Sequence, residues 1–131
     1  MPKILISTNT ALSFYQQKNI TNELKKAIEL IPGEKGEWLM TDYESGKTIH
    51  FGDDWETEAG RRAPCGAVEI SILDKVYNRT GERELEMTLA AISLIVSKHT
   101  AIPENRLFVF FRPAGMWAFE GKNIEKTLFS A

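Results

Sequence analysis

The chain has 131 residues, enough for one domain spanning 1–131 and too few for two of ordinary size. Apolar residues make up 43% and charged residues 26%, a balance that builds a packed core and excludes a disordered chain. The net charge of -2 gives no basic excess for nucleic acid, and no apolar run approaches the ~20 residues of a membrane span.

The opening MPKILISTNT lacks the apolar stretch and cleavage site of a secretory signal, so a cytoplasmic location is expected, with unconventional secretion left open. Residues 3–9 begin with a β-type run, Ile4, Leu5 and Ile6. From Ser13 the period changes. Ile20, Leu24, Ala27, Ile28 and Ile31 recur at helical spacing, and Pro32-Gly33 stops the helix. EWLMT (37–41) then reads as a strand and completes a β-α-β unit. Residues 42–63 show no sustained period, with at most a short strand or hairpin around Thr48–Phe51.

The pattern then repeats. GAVEISIL (66–73) alternates, with Val68, Ile70 and Ile72 on one side and Ala67, Glu69 and Ser71 on the other. Thr80 or Asn78 is the expected cap of a second helix carrying Leu85, Leu89, Ile92 and Val96. Ala101-Ile102-Pro103 ends it, and RLFVFF (106–111) is a further strand. The tail from Pro113 onward suits short edge pieces. In RLFVFF, Leu107, Val109 and Phe111 face one way and Phe108 and Phe110 the other, so both faces call for burial. Either an oligomer or the long loop and tail must cover the second face.

Pro2 follows the initiator methionine directly, and a small second residue favours removal of Met1. The amine left behind is a secondary amine held in a ring at the head of a strand. An ordinary α-amino group titrates at about 7.7–8.0. An apolar pocket beside a cation lowers that value and yields a free base at neutral pH, as a general base requires.

Further markers accompany Pro2 in order. They are Thr8-Asn9, Pro64-Cys65 before the third strand, Ile102-Pro103-Glu104-Asn105-Arg106 before RLFVFF, Ala118-Phe119-Glu120-Gly121, and Phe129 near the end. With them the chain resembles, from end to end, a divergent member of the macrophage migration inhibitory factor (MIF) family of the tautomerase superfamily. The resemblance implies an α+β, βαββαβ fold of two half-repeats, with two helices on one face of a four-stranded sheet, assembled as a homotrimer. It implies a keto–enol tautomerase of phenylpyruvate-type 2-oxo acids, without metal or cofactor, in which Pro2 is the catalytic acid and base. Lys35 or its neighbourhood and the backbone amide of Leu73 would hold the substrate carboxylate. Phe108 of a neighbouring subunit, with Trp117 or Phe119, would wall the pocket. No nucleic-acid or membrane partner is implied.

The chain also departs from the family. Simple register puts Glu34, not Lys35, at the lysine position. Phe108 and Phe110 replace a tyrosine and an asparagine, and Val68 replaces the second cysteine of a Cys-x-x-Cys motif. Arg112 is an extra cation that could take over carboxylate binding. Two alternatives therefore stand beside the tautomerase. One is a non-enzymatic binding or signalling protein; the other is a hydratase, dehalogenase or decarboxylase of the same superfamily.

The remaining signals read as structural. Lys25-Lys26 forms a wet helix face, and the sequons at Asn19 and Asn78 mark helix starts. Glu82, Glu84 and Glu86 suit a helix N-terminus. His50 and His99 suit the surface, while Trp38 and Trp55 read as core or loop anchors and Cys65 as quiet packing.

Overall fold

The computed structural model describes residues 2–52 and 63–123. Met1, Trp55 and Phe129 lie outside the described residues. Ser13 starts the first helix with a capping box: its hydroxyl accepts from the Gln16 N–H while the Gln16 side chain accepts from the Ser13 N–H. Two orphan donors are thereby satisfied, and α1 runs Phe14–Ala27. It links strands β1 (Lys3–Thr8) and β2 (Met40–Glu44), which pair in parallel. The second half repeats this plan: β3 (Gly66–Leu73), a short α2 (Asp74–Arg79), the long α3 (Glu82–His99) and β4 (Leu107–Ala114), with β3 and β4 parallel. The halves join through an antiparallel β1–β3 pair, which gives a mixed four-stranded sheet in the order β2-β1-β3-β4.

Alternation decides which face is covered. Ile4, Ile6, Val68, Ile70 and Ile72 are fully buried beneath Ile20 and Leu24 of α1 and Ile92 and Val96 of α3. The opposite face carries Leu5, Ala67, Glu69 and Ser71, and at its edge Phe108 and Phe110 are 64% and 44% exposed. Phe51 stacks on Phe108 with ring centroids 5.5 Å apart, so the long loop covers part of this face.

Four local expectations need correction. The strand foreseen at 37–41 starts only at Met40, because Gly36–Trp38 forms a 3-10 turn. Thr48–Phe51 forms no strand, and Phe51 makes a single bridge. Neither Thr80 nor Asn78 caps the second long helix. Asn78 lies within α2, Thr80 ends it, and Gly81 precedes α3. The two sequons do not mark helix starts either: Asn19 lies inside α1 and Asn78 near the end of α2.

Polar ties hold the frame. Tyr43 donates its hydroxyl to the Gln17 carbonyl at 2.9 Å and lies 2.7 Å from the Thr21 hydroxyl, which also meets Thr41. These contacts bind the edge strand β2 to α1, and burial raises the Tyr43 pKa. A second clamp gathers several of the family markers. Asn9 accepts from the Cys65 N–H at 2.8 Å and donates to the Ala63 carbonyl, while Arg106 donates to the Pro64 carbonyl. Those markers hold the entry to β3.

Between the long helices, Lys98 and His99 of α3 both engage Glu23 of α1. The hydrogen bond from Lys98, then that from His99, holds the Glu23 carboxyl below its ordinary value. A depressed carboxyl pKa stabilises the fold above the unfolded value of about 4.3, and that contribution is lost as pH falls through the folded value. Because the pair is part-exposed, Glu23→Gln should cost at most about 1 kcal/mol at neutral pH. Urea unfolding across a pH series should show the gap closing in acid. Gly36 sits tightly against α1, where an added Cβ would stand 2.3 Å from the Lys25 carbonyl oxygen. Gly36→Ala should therefore lower stability by about 1–3 kcal/mol, read from the same unfolding midpoints.

Candidate functional site

Strand parity puts Pro2 on the same side as Ile4 and Ile6, and it is buried. Its carbonyl accepts from the Met40 N–H at 3.1 Å, which fixes the head of β1 against the start of β2. Just before β2, the Gly36–Trp38 turn is tied down by the Glu29 carboxylate, which accepts from the Gly36 N–H at 3.2 Å. The turn presents Trp38, 44% exposed, so of the core and loop-anchor readings it is the loop one that the structure supports.

The opposite wall comes from the tail. Strands β5 (Ala118–Phe119) and β6 (Lys122–Asn123) form a hairpin whose two turn residues, Glu120 and Gly121, have φ of 55° and 75°. Positive φ at both positions matches the right-handed twist of a tight hairpin and suits Gly121 better than Glu120. The hairpin brings Trp117 and Phe119 opposite Trp38. Together these segments enclose a pocket of about 620 Å³ lined by Pro2, Lys3, Glu37, Trp38, Leu39, Met40 and Trp117–Phe119. An apolar wall with few charges suits an amphiphilic organic ligand. Among the described residues, no group of three His, Cys, Asp or Glu side chains could hold a metal ion.

The arrangement of strands and helices matches solved structures. A crystal structure of Leishmania major MIF2 superposes with a TM-score of 0.77 at 19% identity, covering 94% of this chain and 97% of that one. The macrophage migration inhibitory factor of Toxoplasma gondii gives 0.74 at 20% identity over 92% and 98%. The chain has the macrophage migration inhibitory factor fold. A crystal structure of Pt0534 inactivated by 2-oxo-3-pentynoate also superposes, at 0.68 and 16% identity over 91% and 93%. No family model and no curated sequence matches the chain, so the likeness is one of fold.

Within the MIF fold, the residues singled out from sequence part company. Pro2, Trp117 and Phe119 meet in the pocket. Lys35 is exposed, with its ammonium 4.9 Å from the centre of the Trp38 ring, while Glu34 beside it is buried. Leu73 is buried at the end of β3 and does not line this pocket, while Phe108, expected to reach the pocket of a neighbouring copy, lies on the open sheet face. Arg112 donates to Glu69 at 2.9 Å on that same face. Sequence reasoning missed Lys3, Glu37, Leu39 and Met40, and it read Trp38 as a core or loop anchor without placing it at the pocket. The signal available was the aromatic that follows Gly36 closely, in a segment whose Pro32-Gly33 and Gly36 already mark it as a turn. Replacing Trp117 with Ala should weaken binding of an aromatic carboxylate such as phenylacetate roughly tenfold, because ring-on-ring contact adds to simple burial. Quenching of tryptophan emission would measure it.

Proposed function

We propose that the chain is a cofactor-independent keto–enol tautomerase of phenylpyruvate-type 2-oxo acids, with the Pro2 nitrogen as general base and acid. The observation that carries this reading is the burial of Pro2 in a pocket walled by Trp38, Trp117 and Phe119. The chemistry requires cleavage of Met1, since an acylated proline nitrogen has no basic lone pair. Once free, the ring nitrogen takes a proton from the carbon beside the keto group. That bond's electron pair forms the new carbon–carbon double bond, and the keto oxygen gains the charge and then a proton. The reverse sequence returns the ketone, so no oxidant or cofactor enters the balance.

Two features of the pocket support the assignment. The aromatic walls accept an aryl ring and exclude water from the amine, which favours its neutral form. A neighbour of the same fold is inactivated by a 2-oxo acid, 2-oxo-3-pentynoate. The reading includes one domain across the chain and a homotrimer, in which the part-exposed Phe108 and Phe110 would be covered by other copies.

With intact mass first showing Met1 absent, Pro2→Gly should keep the circular dichroism of the parent and lower phenylpyruvate kcat/KM by about 10²–10⁴, the usual contribution of a positioned acid or base. Equal turnover by parent and variant would remove Pro2 from the mechanism. Binding of phenylacetate without any turnover of 2-oxo acids would favour the non-enzymatic reading.

A further inference from the structure

Besides Pro2, the pocket wall carries two ionisable residues, Lys3 and Glu37; the rest is apolar. Of the two cations expected from sequence, Lys35 sits over the ring of the pocket residue Trp38 and Arg112 pairs with Glu69, and neither lines the pocket. Lys3 is joined to Pro2 by one peptide bond and paired in the ladder with Met40, another pocket residue. Its ammonium lies 3.8 Å from Asp42, with both side chains about half exposed at 44% and 48%. That separation is too long for a hydrogen bond, and an exposed pair of this kind is weak, so a ligand carboxylate can replace Asp42 at small cost.

The covalent structure of a 2-oxo acid bears on which cation can serve. Its carboxylate is bonded to the keto carbon, whose other neighbour is the carbon that loses the proton. The anion is therefore bound close to the base. Lys3 lines the pocket with Pro2, and because its side chain alternates to the face of Asp42 it must swing from Asp42 to meet that anion; Lys35 does not line the pocket. Glu37 acts in the opposite sense. A second carboxylate on the ligand would meet a like charge on the pocket wall.

We infer, building on the tautomerase reading, that Lys3 and Glu37 set the charge of the ligand. Lys3 holds a single carboxylate on an aryl body, and Glu37 turns away a dicarboxylate. The test compares phenylpyruvate, its methyl ester and 2-oxoglutarate in the parent, Lys3→Gln, Lys3→Arg and Glu37→Gln proteins. Lys3→Gln should raise the phenylpyruvate KM about tenfold, equivalent to about 1.4 kcal/mol, with a smaller effect on the ester. Lys3→Arg, which keeps the charge, should restore most of that loss. Glu37→Gln should shift the ratio of kcat/KM for 2-oxoglutarate over phenylpyruvate upward by roughly tenfold. An unchanged phenylpyruvate KM in Lys3→Gln, or an equal loss for acid and ester, overturns the role of Lys3. An unshifted ratio in Glu37→Gln overturns that of Glu37.

Phenylacetate binding, followed by tryptophan emission, separates this inference from the tautomerase reading because it needs no turnover. A parent protein that binds phenylacetate through Lys3 yet turns over no 2-oxo acid refutes the tautomerase and keeps the charge selection. An active parent whose Lys3→Gln variant keeps its phenylpyruvate KM does the reverse.

Discussion

The antiparallel pairing of β1 with β3 is the constraint on which the rest depends. Ile4 lies opposite Ile70 and Ile6 opposite Val68, and all four side chains are fully buried. Each such burial is worth about 2 kcal/mol, and a slip of one residue would forfeit them together by turning β1 over. The same slip would carry Pro2 out of its buried position. The position of Pro2 is therefore held by hydrophobic packing several residues further on, together with the bond from the Met40 N–H to its carbonyl.

The pocket balances two opposed demands. On the proposed reading, a proline amine needs a place where water is scarce to stay neutral, yet a carboxylate ligand needs a hydrated or charged partner. The wall combines Trp38, Trp117 and Phe119 with two ionisable side chains, Lys3 and Glu37, which is a composition suited to both. Rigidity comes from unlike sources on the two sides. The Gly36–Trp38 turn is pressed against α1 and tied by Glu29, whereas the opposite wall rests on a two-residue hairpin turn with a strained Glu120.

The far face of the sheet has a different character. Phe108 and Phe110 project from the edge strand, and Phe51 shields one of them only in part. Arg112 and Glu69 add a charge pair on the same face. Pro113, lacking an N–H, is tolerated in β4 because that strand lies at the sheet's edge. Aromatic side chains left part-exposed beside a charge pair are the physical basis for the expected assembly of several copies.

Local periodicity made much of the fold legible. The twofold alternation of residues 66–73 and the helical spacing of Ile20, Leu24 and Ile28 gave the strand and helix faces directly, since each pattern depends on neighbours a few positions apart. The Pro2 head and the Trp117–Phe119 tail were legible as candidates, through resemblance. Capping at Gly81 was not, because glycine there carries no side chain to signal a helix start. Thr80 misled because a good cap residue can equally end the helix before it. By itself the sequence determined two β-α-β halves, a buried core stripe and a proline at the head of a strand. Only the tertiary structure decided that Trp38 belongs to the pocket, that Lys3 and Glu37 are the charges on its wall, and that Arg112 is engaged by Glu69. Those relations join segments far apart in the chain, and no periodicity records which distant residues a packed sheet and a tail hairpin bring together.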